Sequence, residues 1–284
     1  MHKYKKHFII FCIIFFIFIL YQMNNKTTTT MKYFPIDETG FIKEAETSLS
    51  YNLDQNTIDW KVHSSSSLPV YLRQDVSLLY ENGVFKGLQS KWEENVSTLT
   101  LEEKFPPTQH AFLQSISFHH GEIHHDESTI TSIQKMTNNK LYIIQEGSHF
   151  NVFSEPKTST ERQLVKELSS QTTQQLQLHW NTLIDHYQLS LKDYDVIPLD
   201  KIVTYNDHPL PGQTIISTTS IIGQFWEGLY NNYLTLLMSY KKNIPTHYMP
   251  VILFAKDQTH LLVLFEIDNE KHKLIQHIST ESTS

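Results

Sequence analysis

Val76-Ser-Leu-Leu-Tyr-Glu81-Asn82-Gly83-Val84-Phe-Lys-Gly-Leu88 carries the strongest short-range folding instruction in this chain of 284 residues. Asn-Gly accepts positive φ at two successive positions, which a type I′ turn needs, and apolar runs flank it on both sides. Val76–Tyr80 and Val84–Leu88 are therefore expected to pair as a hairpin. Working outward, the signals from about Val70 to Val152 are those of a β-meander. Asn138-Asn139 is expected to turn the chain between Ile133–Met136 and Leu141–Ile144, because asparagine tolerates left-handed backbone. Val96–Leu101 and Phe112–Phe118 read as further strands, and Ser64-Ser-Ser-Ser67 as a loop.

Beyond the meander the period changes. Thr158 followed by Glu161 is a capping box, and Leu168, Leu176, Trp180, Leu183 and Tyr187 recur at helical spacing, predicting one helix from about Ser159 to Gln188. After the Pro209-Leu-Pro-Gly212 turn, Ile222, Trp226, Leu229, Tyr233, Leu236 and Tyr240 mark a second helix ending at Lys241-Lys242. Val251–Ala255 and Leu261–Ile267 are nearly continuous apolar runs, and His272–Ile278 forms a third strand. Such runs imply burial on both faces, with the two helices as cover. The expected class is α+β: an N-terminal membrane helix, then an antiparallel β-meander, then a helix-plus-antiparallel-sheet half. The boundaries are a β-rich extracytoplasmic region at 33–155 and an α+β extracytoplasmic region at 156–280.

The amino terminus supplies the compartment. A basic head, Met1-His-Lys-Tyr-Lys-Lys6, precedes the apolar run Phe8–Leu20, and Tyr21-Gln-Met-Asn-Asn25 offers no small side chains for signal cleavage. Residues 1–7 are thus expected as a cytoplasmic basic tail, 8–23 as an uncleaved transmembrane signal anchor and 24–32 as a polar stalk. The lysine excess before the run keeps the N-terminus in the cytoplasm. The expected location is a single pass through the cell membrane with the C-terminal domain outside. The one cysteine, Cys12, lies within the apolar run, so no disulfide can form within one chain.

Setting Lys3, Lys5 and Lys6 aside takes the formal charge from −7 to −10. An acidic domain of this kind is repelled by nucleic acid, which is excluded as a partner. The eight glycines include no Gly-x-Gly-x-x-Gly and no P-loop spacing.

Sixteen histidines are present, and four of them fall in Phe118-His119-His120-Gly121-Glu122-Ile123-His124-His125-Asp126. Imidazole and carboxylate are the ligands zinc uses without thiolates, so this is the candidate metal site. Spacing decides its geometry. On a continuous strand, residues four apart stand about 13 Å from each other at ~3.3 Å per residue. With a type II′ turn at Gly121-Glu122, His119 and His124 become cross-strand neighbours with Asp126 beside them, and His120, Glu122 and His125 lie nearby. Two readings compete with it: histidines merely solvated on the polar face of an exposed hairpin, and a proton sensor whose adjacent imidazoles would repel one another as pH falls through ~6.5. His179 and His186 share a helix face, while Glu93-Glu94 and Glu102-Glu103 read as turn residues. The expected function is a membrane-anchored accessory or regulatory protein that binds a membrane or envelope protein partner. The alternative is an extracytoplasmic zinc-dependent hydrolase, or a zinc-binding protein, using the 119–126 cluster.

Overall fold

The computed structural model describes residues 30–278 except 126–127, 148 and 241–243. The expected membrane segment 8–23 lies outside the described residues, and no described helix is long and apolar enough to cross a membrane. The fold is mixed α+β, with two antiparallel sheets and a few helices.

Strands β1 (Ile42–Asn52), β2 (Thr57–Glu81), β3 (Val84–Phe105), β4 (Ala111–His124), β5 (Ile130–Glu146) and β6 (His149–Phe153) form the larger sheet. Asn82 and Gly83 take φ of 52° and 80°, so the Asn-Gly turn joins β2 to β3. These strands run far beyond the expected hairpin. β2 pairs with β3 along both of its halves, with β1 over Thr57–Ser66 and with β4 over Leu72–Glu81. Its register with β3 slips between Ser65 and Val70, and there the sheet folds back on itself. Leu49, Ile58, Trp60 and Val62 of one layer thereby meet Leu79, Leu113, Leu141 and Ile143 of the other. A smaller cluster of Ile42, Val70, Ile123 and Ile133 closes the opposite end.

Four local expectations are corrected. Ser64–Ser67 lies inside β2, because Ser64 finds its partners across the fold in Arg73 and Asp75. Asn138-Asn139 does not turn, since β5 stays in uninterrupted register with β4 from Ile143 to Ile130, and the chain reverses at Gly147 instead, with φ 62°. Gly121-Glu122 is likewise mid-strand, paired to Arg73 and Leu72 on one side and to Ile133 and Ser132 on the other. Both carboxylate pairs, Glu93-Glu94 and Glu102-Glu103, sit in β3 rather than in turns.

Helix α1 (Ser159–His186) begins on the expected capping box between Thr158 and Glu161. After β7 (Tyr194–Pro198) and a 3₁₀ segment (Leu199–Asn206), α2 (Ile215–Leu229) continues through a π turn (Tyr230–Leu234) to Ser239. Strands β8 (Val251–Ala255), β9 (His260–Ile267) and β10 (Glu270–His277) add to β7 in the order β10-β9-β8-β7. α1 packs on β9 and α2 on β10. The helical part also covers the outer face of β4, where Phe118 stacks on Trp226 with centroids 5.0 Å apart. A hydrogen-bond chain ties the parts together: Tyr80 OH to Tyr233 OH at 3.2 Å, Tyr233 OH to His247 Nε2 at 2.9 Å, and His247 Nδ1 donating to the Pro245 carbonyl at 2.7 Å.

Candidate functional site

Both faces of β4 are buried, and its histidines divide between them. His119 points into the space between the two layers of the folded-back sheet. The Asp75 carboxylate can only accept, so His119 Nδ1 donates to its Oδ2 at 2.9 Å, and Nε2 stands 2.8 Å from the Thr137 hydroxyl. Asp75 Oδ2 also accepts from Ser64 Oγ at 2.5 Å, and Arg73 donates to Ser64 and lies 3.4 Å from Asp75 Oδ1. From Thr137 the chain of hydroxyls continues through Thr47 at 2.5 Å to Ser117 at 2.6 Å and on to Ser77 at 2.7 Å. A polar belt therefore crosses the sandwich between its two apolar clusters. Arg73 is fully buried, and its Nε and Nη1 have no partner among the described residues. Burial lowers its pKa, against which Asp75 acts.

His120 faces the other way, beneath the helices. Its Nε2 is 3.2 Å from Ser132 Oγ and its ring stacks near Phe118. Burial, then the Arg73 charge, pushes it down to about 4. His124 is at the exposed end of β4, stacked on Tyr71 at 3.9 Å, with Glu122 Oε2 3.7 Å from its Nε2. His125 binds Asp37 instead, at 2.6 Å. Asp126 lies outside the described residues. An odd spacing on one strand sends His119 and His124 to opposite faces. The structure does not bring them together, and among the described residues no three His, Cys, Asp or Glu side chains are grouped to hold a metal ion.

On the outer face of β4 and β5 lies a feature that sequence reading missed, a cleft of about 990 Å³. One wall is a stripe of α1 at helical spacing: Ser169, Thr172, Thr173, Leu176, Gln177, Trp180, Asn181 and Ile184. The fifteen steps from Ser169 to Ile184 at ~1.5 Å each make this wall roughly 22 Å long. The facing wall carries Gln114, Asn138 and Lys140, and Leu191, Val196, Pro198 and Asp200 close the third side. Below it Phe112 and Tyr142 stack at 4.6 Å, and Trp180 is fixed by Nε1 donating to the Met249 carbonyl at 2.8 Å. Gln114 Nε2 donates to Asp200 Oδ2 at 3.1 Å, which Lys201 also meets at 3.1 Å. That bond orients the amide, and Gln114 Oε1 is left buried without a partner among the described residues. The signal available in the sequence was the α1 stripe itself, in which hydroxyls and amides share a face with Leu176, Trp180 and Ile184.

No protein-family model matches the chain, and no curated protein does. Among solved structures, one that matches is the CARDB domain of a Pyrococcus furiosus protein in complex with di-metal ions. It is 14% identical, with a TM-score of 0.20, over 39% of this chain and 95% of that one.

Proposed function

We propose that the chain is a binding protein with an accessory or regulatory role, tethered by residues 8–23 outside the cell membrane, and that the cleft between α1 and the β4–β5 face is where it recognises an envelope or membrane partner. The cleft carries this reading. Its volume is that of a ligand site, with an apolar wall and a few oriented polar groups. The buried Gln114 Oε1 is an acceptor that costs free energy until a donor meets it. The cleft's polar groups suit holding rather than proton transfer, since they are mainly amides and hydroxyls and Asp200 is engaged by Gln114 and Lys201. A short tether beside the partner would raise the effective concentration to roughly millimolar, so modest affinity suffices.

A photo-reactive residue placed at Leu191 or Val196, both more than 40% exposed at the cleft, tests this in living cells. Cross-links to one envelope component are expected from these positions and not from Ile275, which is exposed but does not line the cleft. The same adduct from all three, or none from any, overturns the assignment.

A further inference from the structure

We infer that the cleft takes a neutral, linear oligosaccharide. This rests on the cleft being the recognition site and names the chemistry it recognises. Four observations carry it. First, charge is balanced around the cleft: Lys140 and Lys201 stand against Glu155 and Asp200, and Lys201 and Asp200 are paired. A strongly charged ligand gains nothing there. Second, the uncharged polar groups are carboxamides and hydroxyls. A carboxamide presents a donor and an acceptor side by side, which matches the adjacent hydroxyls of a sugar ring. Third, Gln114 is more than nine-tenths buried, its amide is oriented by Asp200, and its Oε1, itself closed to solvent, has no partner among the described residues. Once the Gln114 side chain turns toward the cleft, a ligand hydroxyl or acetamide N–H supplies the missing donor, whereas a fatty chain would leave that oxygen unpaired at a cost. Fourth, Leu176, Trp180 and Ile184 lie on the same wall as Gln177 and Asn181. A pyranose has this double character, with C–H faces for apolar surface and hydroxyl edges for amides. The ~22 Å helical wall suits a chain of several rings rather than one.

Isothermal titration of the full chain, held in a detergent without a sugar headgroup, with chitotetraose and with cellotetraose tests the inference. At least one tetramer is expected to bind saturably, and its monosaccharide at least ten-fold more weakly. Gln114→Leu is expected to weaken the tetramer by roughly ten-fold, the loss of about one buried hydrogen bond. Gln177 and Asn181 are exposed on α1, so the double variant Gln177→Ala plus Asn181→Ala preserves the core and gives the decisive comparison if Gln114→Leu fails to fold. Its expected loss is also several-fold. Absence of saturable binding to both tetramers, or binding that neither variant weakens, overturns the oligosaccharide. Cross-links from Leu191 and Val196 to a polypeptide would in that case leave the recognition site standing and replace its ligand; their absence as well would remove both.

Discussion

Nδ1 of His119 lies 2.9 Å from Oδ2 of Asp75, and neither side chain meets solvent. The carboxylate that holds this imidazole also faces Arg73, so the belt contains a buried ion pair. Removing one partner of such a pair strands the other charge and costs about 3–5 kcal/mol, whereas replacing both with apolar groups costs much less. Asp75→Leu alone should therefore lower stability by that amount. The double variant Arg73→Leu plus Asp75→Leu should be clearly more stable than Asp75→Leu. Urea unfolding measures both, and simple additivity of the two single losses would contradict the buried pair.

His120 and His247 are both buried and both pushed down to about 4, first by desolvation. Below pH ~6.5 the unfolded chain takes up protons on these side chains while the folded chain does not. Stability should thus fall as pH drops from 6.5 to 4, by up to about 3 kcal/mol for each histidine. The cause is desolvation beneath the helices, joined at His120 by the Arg73 charge, and not repulsion between neighbouring imidazoles on an exposed hairpin. Urea midpoints between pH 7 and 4.5 read the slope, and His120→Gln should flatten it. A flat profile for the parent chain would refute the assignment.

Gly83 and Gly147 both adopt positive φ, at 80° and 62°, but their surroundings differ. A Cβ at Gly83 would sit 2.9 Å from Leu176 Cγ, while one at Gly147 meets nothing within 4 Å. Gly147→Ala should cost about 1 kcal/mol, the left-handed backbone penalty. Gly83→Ala should cost more, roughly 2–3 kcal/mol, because Leu176 must also move and it forms part of the cleft wall. Equal thermal shifts for the two variants would show that the Leu176 contact is relieved at no cost.

Asp37 holds the segment that leads into β1. Its carboxylate accepts from the Thr39 and Gly40 N–H groups, from the Thr39 and Thr131 hydroxyls and from His125. Burial alone would raise its pKa, but the bonds from Thr131, Gly40, Thr39 and His125 together outweigh it and hold the carboxyl well below the usual range. The stabilisation is present above the unfolded value of ~3.9 and is lost as pH falls below it. Asp37→Ala should cost about 2–3 kcal/mol at pH 7 and speed amide exchange over residues 38–41 first. Exchange that quickens uniformly across β4 and β5 instead would place the role of Asp37 in the whole fold rather than in this segment.

Features encoded by neighbours in sequence were legible. The Asn82-Gly83 turn, the Thr158–Glu161 capping box and strand Val251–Ala255 all occur where local chemistry puts them. The errors share one physical source: polar side chains that find partners far away in sequence. Ser64 looks like loop until Asp75 and Arg73 are seen beside it, and His119 looks solvated until Thr137 and Asp75 close around its ring. Asn138 reads as a turn residue because nothing local reveals that β5 must stay aligned with β4, or that its amide donates to the Asp200 carbonyl at 3.3 Å. The cleft was hidden for a related reason. Its walls come from α1, from β4 and β5, and from β7, and only the α1 stripe has a period that one segment can display.

The 25-residue strand β2 belongs to both layers of the folded-back sheet. A strand shared in this way leaves no seam along which one layer could open while the other stays intact. The two apolar clusters and the polar belt must then be gained or lost together, and among the described residues partial opening starts at the edge strands β1, β3 and β6, each of which pairs with one neighbour. If the chain is held at a surface as proposed, this amounts to mechanical economy: tension entering at Asp37 and β1 is resisted by the rungs along Thr57–Ser66 in parallel with the Thr47 link to β4 and β5, so the cleft keeps its shape until the whole body yields.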